Sequence, residues 1–186
     1  MKFLSKGKRG IVYLVEDKGI KKVIKEKRKE STAINPIANE AKWLKVINKH
    51  KIGPRFYSFE DGKLMMEYIE GKLFTDWLKE QKESSIIKKV VIDILKQCYT
   101  MDRLNIEKKE MHKPVKHIII RNNKPVLIDF ERCRKTLKPS NVTQFCQYLK
   151  KLGLIDFNEE LLQAYRRSID PGSLHQILMR LKPRVF

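Results

Sequence analysis

The residues of this chain that are best suited to chemistry lie in residues 124–131, which read Lys-Pro-Val-Leu-Ile-Asp-Phe-Glu. The apolar run leads directly to Asp129, and a second apolar run occupies residues 118–120. Two such runs close together predict a β-hairpin that ends in a carboxylate. Magnesium binds hard oxygen ligands and can neutralise charge on a phosphoryl group during its transfer. Asp129 is therefore a candidate ligand for a metal ion, and phosphoryl transfer is one chemistry that such an ion could serve.

A glycine-containing segment near the start of the chain is suited to cover phosphates. Residues 5–12 read Ser-Lys-Gly-Lys-Arg-Gly-Ile-Val and fit the pattern G-x-G-x-x-G-x-V with only the first glycine replaced. Glycine is needed where the backbone approaches phosphate oxygens closely, because a Cβ atom would obstruct the approach. Gly7, Gly10 and Val12 are therefore predicted to contact a nucleotide. An ordinary β-hairpin turn is the alternative interpretation.

Lys25 is the predicted phosphate-binding lysine. It ends the run Lys-Val-Ile-Lys at residues 22–25, which fits the pattern V-A-I-K and follows a predicted turn at residues 17–19. Because side chains alternate along a strand, Lys25 and Val23 are predicted to lie on the same face.

The helix that follows this strand carries a glutamate suited to pair with Lys25. It is predicted to begin at Asn35 and Pro36, a cap followed by proline at the first position. Its apolar stripe comprises Ile37, Ala41, Leu44 and Ile47. Glu40 lies beside this stripe, and a carboxylate at the edge of a buried face favours a cationic partner. An ion pair between Glu40 and Lys25, which would resemble the lysine–glutamate pair of the protein kinases, is predicted, with a solvated glutamate as the alternative.

The order of these parts, from the glycine loop through Lys25 and Glu40 to Asp129, resembles that of the protein kinases. Over roughly residues 4–150 the chain is similar to an archaeal member of the RIO and lipopolysaccharide-kinase-like branch, close to the small kinase subunit of the KEOPS complex. The resemblance implies a single α+β domain with two lobes. Residues 1–68 would form an N-lobe with a five-stranded antiparallel sheet, and residues 69–186 a mainly helical, reduced C-lobe. ATP and Mg²⁺, or Mn²⁺, would lie between the lobes.

The strand predicted over residues 63–71 resembles the kinase hinge. In that resemblance Met66 precedes the linker, and the segment from Glu67 to Ile69 offers backbone groups to the adenine ring. The side chains of these residues are interpreted as ordinary packing residues.

The catalytic segment departs from the kinase pattern, because residues 108–117 contain no aspartate. In one register His117 replaces the metal-binding asparagine and His112 falls at the catalytic aspartate. In a register two residues longer, Glu110 faces the substrate hydroxyl and Lys108 replaces the preceding histidine. We favour Glu110, because a carboxylate can orient the nucleophile and accept its proton. Either register leaves His117 where an oxygen ligand is expected, so the second metal is absent or replaced by manganese.

Glu131 replaces the glycine that follows Asp-Phe in kinases. Two interpretations are open. The carboxylate is an additional ligand near the metal ion, or it points to solvent or pairs with Arg132 or Arg134.

Together these features predict an ATP-dependent phosphotransferase, an atypical serine/threonine protein kinase in which Lys25 and Glu110 are catalytic. Autophosphorylation and slow ATP hydrolysis are variants of this prediction. The alternative is a pseudokinase-like nucleotide-binding module that acts in RNA or ribonucleoprotein assembly, and the missing aspartate and asparagine are its support.

Composition bears on partners and compartment. With 41 Lys and Arg against 22 Asp and Glu, the formal net charge is +19, which predicts contact with RNA or a ribonucleoprotein. The alternative explanation is that the high Lys, Ile and Glu content reflects a heat-adapted or AT-rich genome. The three cysteines lack C-x-x-C spacing, which argues against a disulfide framework or a zinc knuckle. The chain also lacks an apolar run near membrane-spanning length, so a cytoplasmic protein without membrane contact is predicted.

Overall fold

The computed structural model describes residues 1–183, which form a mixed α+β fold. Within these residues the strands are β1 (Lys2–Lys6), β2 (Gly10–Asp17), β3 (Ile20–Lys27), β4 (Phe56–Glu60), β5 (Lys63–Glu67), β6 (Lys72–Leu73), β7 (Ile106–Glu107), β8 (Ile118–Arg121), β9 (Lys124–Leu127) and β10 (Arg134–Lys135). The helices are α1 (Pro36–Asn48), α2 (Phe74–Glu80), α3 (Ser84–Arg103), α4 (Asn141–Lys151), α5 (Glu159–Ser168) and α6 (Pro171–Leu178).

The chain divides into two compact units. The first consists of Met1–Glu70 together with Val126–Cys133, and the second of Gly71–Pro125 with the described residues from Arg134 onward. Residues 126–133 thus belong with the N-terminal unit, although the resemblance assigned them to the C-lobe.

The first unit contains a five-stranded antiparallel sheet, as the resemblance implies, and its strand order is β1-β2-β3-β5-β4. Two tight turns set its register. Lys18 and Gly19 connect β2 to β3, and Asp61 and Gly62 connect β4 to β5, all four with positive φ. Two-residue turns of this kind match the twist of antiparallel strands, and Gly and Asp tolerate them. The predicted strand over residues 63–71 was too long, because the ladder with β3 ends at Glu67.

Helix α1 packs its apolar stripe into the core of the first unit. The stripe residues Ile37, Ala41, Leu44 and Ile47 are each at most 2% exposed. The helix begins at Pro36 as predicted, but the Asn35 side chain makes no capping hydrogen bond, because its backbone is in the left-handed conformation with φ 44°. Proline at the first turn fits, since that position has no intrahelical partner for an N–H group.

Phe130 anchors residues 126–133 to the first unit. Its side chain is 1% exposed. Gly53 lies against it with φ +79°, and a Cβ atom on Gly53 would come within 2.9 Å of the Phe130 ring and 3.0 Å of Leu44. Glycine at this position therefore satisfies both the backbone conformation and the close packing.

The second unit is mainly helical. Its longest helix, α3, buries an apolar stripe that continues to an acid, Asp102, which is 1% exposed. Burying a carboxylate is costly unless hydrogen-bond donors surround it. The donors here come from α4 and α5.

Asp102 is the centre of a buried hydrogen-bond network. Its Oδ1 atom accepts from the backbone N–H and the side-chain amide of Asn141, at 3.0 and 2.7 Å. Its Oδ2 atom accepts from the Val142 N–H at 3.1 Å and from the Tyr165 hydroxyl at 2.8 Å. Burial raises the pKa of Asp102 above its ordinary 3.8, although these hydrogen bonds lower it. The carboxylate thus ties three helices together.

All three cysteines, Cys98, Cys133 and Cys146, are buried free thiols, in keeping with the predicted absence of a disulfide framework. Burial raises the pKa of Cys98 and of Cys146. Within residues 1–183, none of the helices has both the length and the apolar character needed to cross a membrane.

Candidate active site

Lys25 is the centre of the candidate site. It lies on β3, where alternation places it on the same face as Val23, and the two residues are 8% and 5% exposed. Its Nζ atom is 2.6 Å from Glu40 Oε2 and 2.9 Å from Asp129 Oδ1. A third carboxylate oxygen, Oε2 of Glu131, lies 3.3 Å away. The buried ammonium group of Lys25 therefore contacts three carboxylates of the first unit. We call Lys25, Glu40, Asp129 and Glu131 the carboxylate cluster.

The predicted ion pair between Lys25 and Glu40 is present. Glu40 is 1% exposed, so the alternative of a solvated glutamate is wrong. Its Oε1 atom accepts a hydrogen bond from the Phe130 N–H at 3.2 Å, while Oε2 contacts Lys25. The carboxylate thus fixes both the lysine on β3 and the backbone next to Asp129.

Asp129 has a backbone φ of 64°, in the left-handed region that aspartate adopts more readily than most residues. This conformation turns the chain after β9. Asn39 of α1 holds the turn, since its side-chain amide donates to the carbonyl oxygens of Glu131 at 2.8 Å and Cys133 at 3.1 Å. The Asp129 side chain is 33% exposed, against 1% for Glu40. Asp129 is therefore the carboxylate of the cluster that is most open to a ligand.

The charges of the cluster depend on one another. Burial alone would lower the pKa of Lys25, but attraction to Glu40, Asp129 and Glu131 raises the pKa above its ordinary 10.5. Lys25 is therefore a cation at neutral pH. Burial raises the pKa of Glu40 above its ordinary 4.5, and attraction to Lys25 opposes that rise. Loss of Lys25 would leave the buried Glu40 carboxylate without its compensating cation.

Glu131 belongs to the cluster. Its Oε1 atom is 3.2 Å from Nη1 of Arg9, and its Oε2 atom is 3.3 Å from Nζ of Lys25. Its side chain is 12% exposed, so it does not simply point to solvent. Arg134 pairs instead with Glu107 in the second unit. The Glu131 carboxylate therefore lies beside Asp129 and contacts Arg9 and Lys25, and its role as an additional metal ligand stays a prediction.

Three carboxylates of the first unit could hold a divalent cation. One oxygen from each of Glu40, Asp129 and Glu131 lies within 4.8 Å of the other two. Carboxylate oxygens are the ligands that Mg²⁺ and Mn²⁺ prefer. Because Lys25 already compensates the buried Glu40, Asp129 is the carboxylate best placed to hold such an ion.

The two glycines of the N-terminal loop differ in what surrounds them. A Cβ atom on Gly10, which begins β2, would lie 3.1 Å from Cε of Lys25 and 3.2 Å from the Glu26 carbonyl oxygen. One on Gly7 would meet only the Gly10 carbonyl oxygen, at an ordinary 3.5 Å. Val12 is half-buried and pairs with Lys25 across the β2–β3 ladder. Gly10 therefore leaves room for the lysine side chain.

We expect Gly10→Ala to lower the free energy of unfolding of the first unit by about 1 to 3 kcal/mol, because the added methyl group displaces the Lys25 stem. Gly7→Ala is the matched control and should change stability by less than about 0.5 kcal/mol. Urea unfolding followed by tryptophan fluorescence measures both. Equal effects of the two substitutions would contradict this account of Gly10.

The predicted hinge residues lie at and after the end of β5. Met66 pairs with Val23 of β3 and is half-buried, and Ile69 is buried. The Glu67 N–H donates to the carbonyl oxygen of Arg55, which directly precedes β4, at 2.8 Å, so this group already has a hydrogen-bond partner. A base bound at this segment would have to use backbone groups other than the Glu67 N–H.

Glu110 and Lys108 lie in the second unit. Lys108 is fully buried, and its Nζ atom is 3.6 Å from Oε2 of Glu110, whose side chain is 11% exposed. The Lys108 N–H donates to Oδ1 of Asn141 at 2.7 Å, which connects this segment to the Asp102 network. The carboxylate of the favoured register is thus close to a buried ammonium group.

The two histidines of the same segment have different surroundings. His112 is exposed, and its Nδ1 atom donates to the Lys109 carbonyl oxygen at 3.0 Å. His117 is half-buried and directly precedes β8, and its backbone N–H donates to the Pro114 carbonyl oxygen at 3.0 Å. Both belong to the second unit, whereas the carboxylate cluster belongs to the first.

Two residues of the site were not identified from the sequence. Arg9 contacts Glu131, and Asn39 holds the turn after Asp129. The signal for Arg9 is its place between the two glycines of the loop. The only sequence signal for Asn39 is its position next to Glu40. This signal is weak, because the partners of Asn39 are backbone carbonyl oxygens more than ninety residues away.

Comparison with known proteins finds a partial match. No protein-family model matches the chain. Over 78 residues the chain is 33% identical to the uncharacterized protein MJ1211 of Methanocaldococcus jannaschii. This match covers 42% of the present chain and 66% of the relative, slightly less than two thirds of its length.

Proposed function

We propose that this protein is an ATP-dependent phosphotransferase of the protein-kinase type. The observation that carries the proposal is the position of Lys25, a buried lysine on β3 that is 2.6 Å from Glu40 of α1 and 2.9 Å from Asp129. In kinases a strand lysine paired with a helix glutamate binds phosphate oxygens, and an aspartate farther along the chain holds magnesium.

A two-lobed kinase arrangement is part of the proposal. Its support is a five-stranded antiparallel sheet with helix α1 in the first unit and a mainly helical second unit. The proposed relatives are the RIO and lipopolysaccharide-kinase-like proteins and the small kinase subunit of the KEOPS complex.

Each residue of the cluster has a proposed role. Lys25 binds phosphate oxygens of ATP, and Glu40 keeps Lys25 charged and oriented. Asp129 would hold Mg²⁺ or Mn²⁺, which supplies compensation for the negative charge of the phosphoryl group. Glu110 orients the acceptor, which is a serine or threonine hydroxyl or a water molecule.

The test is transfer of labelled γ-phosphate from ATP, with magnesium and separately with manganese. Asp129→Asn is the preferred variant, because asparagine also tolerates a φ of 64° and so keeps the turn. We expect label on protein, or free phosphate, to fall by about a hundredfold or more in Asp129→Asn and in Glu110→Gln. Asp17→Asn, on the exposed end of β2, is the control. Unchanged turnover in Asp129→Asn would contradict the proposal.

One observation favours a second candidate function, a nucleotide-binding module without turnover. Residues 108–117 contain no aspartate, and the Glu110 carboxylate has the Lys108 ammonium group 3.6 Å away. This ammonium group competes with an acceptor hydroxyl group for the Glu110 carboxylate. If this candidate is correct, calorimetry should detect nucleotide binding while neither metal supports transfer.

The proposed partner of either form is RNA or a ribonucleoprotein in the cytoplasm, and the support is the net charge of +19. Binding through a phosphate backbone should weaken steeply with salt, in proportion to the number of phosphate contacts. RNA affinity that is unchanged between low and high salt would exclude this mode of binding.

A further inference from the structure

The Glu131 carboxylate joins two cations of the first unit. One of its oxygens is 3.2 Å from the Arg9 guanidinium group, and the other is 3.3 Å from the Lys25 ammonium group. Arg9 precedes β2 in the glycine loop, whereas Lys25 is on β3. The two cations therefore converge from different elements on one anionic group.

The backbone on both sides of this contact is fixed. The Gly7 N–H donates to the Gly10 carbonyl oxygen at 2.8 Å, and the Arg28 N–H donates to the Arg9 carbonyl oxygen at 2.9 Å. On the other side, the Asn39 amide holds the Glu131 carbonyl oxygen at 2.8 Å. Hydrogen bonds therefore hold the backbone on both sides of the contact between Arg9 and Glu131.

We propose that Arg9 and Lys25 together form the site for the phosphate chain of a nucleoside triphosphate, and that Glu131 is a tethered anion that competes with the phosphates for both cations. This inference rests on the proposed function. It adds Arg9 as a phosphate-binding residue and Glu131 as an anion of the chain itself that competes with the phosphates.

The physical basis is the similarity between the two anions. A carboxylate and a phosphate group each offer two oxygens to an arginine and a lysine, and charge-assisted hydrogen bonds of this kind are strong. A phosphate chain that binds here must displace the Glu131 carboxylate from Arg9 and Lys25. Its observed affinity is therefore reduced by the free energy of the contacts that Glu131 gives up.

The experiment measures binding by calorimetry at about 0.15 M salt, where weak surface attraction is screened. The probes are tripolyphosphate with a chelator, and ATP with and without magnesium. The variants are Glu131→Gln, Arg9→Gln and the double variant. Lys8→Gln is the matched control for Arg9, since it removes a positive charge from the next position of the same loop, where Lys8 is exposed. Glu26→Gln removes a negative charge from the opposite face of β3.

We expect Glu131→Gln to bind tripolyphosphate about tenfold more tightly than the wild type, and Arg9→Gln to bind it several-fold more weakly. In the Arg9→Gln background the gain from Glu131→Gln should shrink to about threefold, because the substitution then removes only the competition for Lys25. Lys8→Gln and Glu26→Gln should each stay within about twofold of the wild type.

Three results would overturn the inference. These are no tightening in Glu131→Gln, an equal gain in Glu26→Gln, and an undiminished gain in the Arg9→Gln background. Failure of the proposed function has a different signature. In that case neither metal would support transfer of labelled γ-phosphate from ATP, while the effect of Glu131→Gln on tripolyphosphate binding would persist.

Discussion

Replacement of Lys25 by methionine should lower the free energy of unfolding of the first unit by about 3 to 5 kcal/mol, because it removes the cation of a buried cluster while the carboxylates stay. The largest part of this loss should come from Glu40, since its carboxylate is 1% exposed and contacts Lys25 at 2.6 Å. Methionine fills a volume similar to that of lysine, so the loss of unfolding free energy comes from the missing charge and not from a cavity. Under the proposed function, nucleotide binding should be lost as well.

The deficit of Lys25→Met should depend on pH. Without the lysine, the folded-state pKa of Glu40 should rise farther above its ordinary 4.5. A carboxyl group with a raised folded-state pKa binds a proton more readily in the folded state, so the variant regains stability as pH falls toward the unfolded-state value. The loss should therefore be larger at about pH 8 than at about pH 5.5.

The chain offers a reporter for each unit. One of its two tryptophans, Trp43, is on α1, and the other, Trp77, is on α2. Urea unfolding of Lys25→Met in a Trp77→Phe background therefore follows the first unit. Lys22→Met is the matched control on the same strand, where the ammonium group pairs at 2.7 Å with an exposed carboxylate, and its cost should stay below about 1 kcal/mol. Equal losses in the two variants would refute the buried-cluster account.

Replacement of Asp102 by alanine should lower the free energy of unfolding of the second unit by about 3 kcal/mol or more. The substitution leaves the backbone N–H groups of Asn141 and Val142 and the Tyr165 hydroxyl without the acceptor they share. A buried donor without an acceptor costs about 1 to 3 kcal/mol. Asn141 also accepts from the Lys108 N–H, so the segment that carries Glu110 should loosen too.

Unfolding of Asp102→Ala is best followed through Trp77 in a Trp43→Phe background. Asp93→Ala is the control, because Asp93 is half-buried on the same helix, nine positions earlier. Its cost should stay below about 1 kcal/mol. Asp102→Asn should remain destabilised, because its amide group presents donors where acceptors are needed. Full stability of both Asp102 variants would show that the network contributes little.

The centre of the site could be predicted from sequence because its signals are local. Strand alternation places Lys25 with Val23, and helical spacing places Glu40 beside a buried stripe. The partners of Glu131 could not be predicted in the same way. Its sequence neighbours Arg132 and Arg134 suggest a local pair, but Arg9, which is 122 residues away, is one of its partners.

For Asp102, the sequence indicates a buried polar partner but does not identify it. Asp102 is four positions after Cys98, so it continues the buried stripe of α3, and an acid on such a stripe indicates a buried polar partner. Which partner cannot be predicted, since Asn141 and Tyr165 lie on helices whose packing depends on the whole second unit. Short strands such as β7 and β10 are equally difficult, because two residues carry no period.

The discontinuity of the first unit has a consequence for biosynthesis. Lys25 leaves the ribosome 104 residues ahead of Asp129, and Phe130 follows directly after Asp129. The N-terminal sheet and helix α1 therefore lack the contacts of Phe130 with Gly53 and Glu40 until more than half of the second unit has been synthesised. Contacts of such large sequence separation form slowly. Chaperone demand should thus be highest in this interval, and the lysine acquires its full set of counter-ions only late in translation.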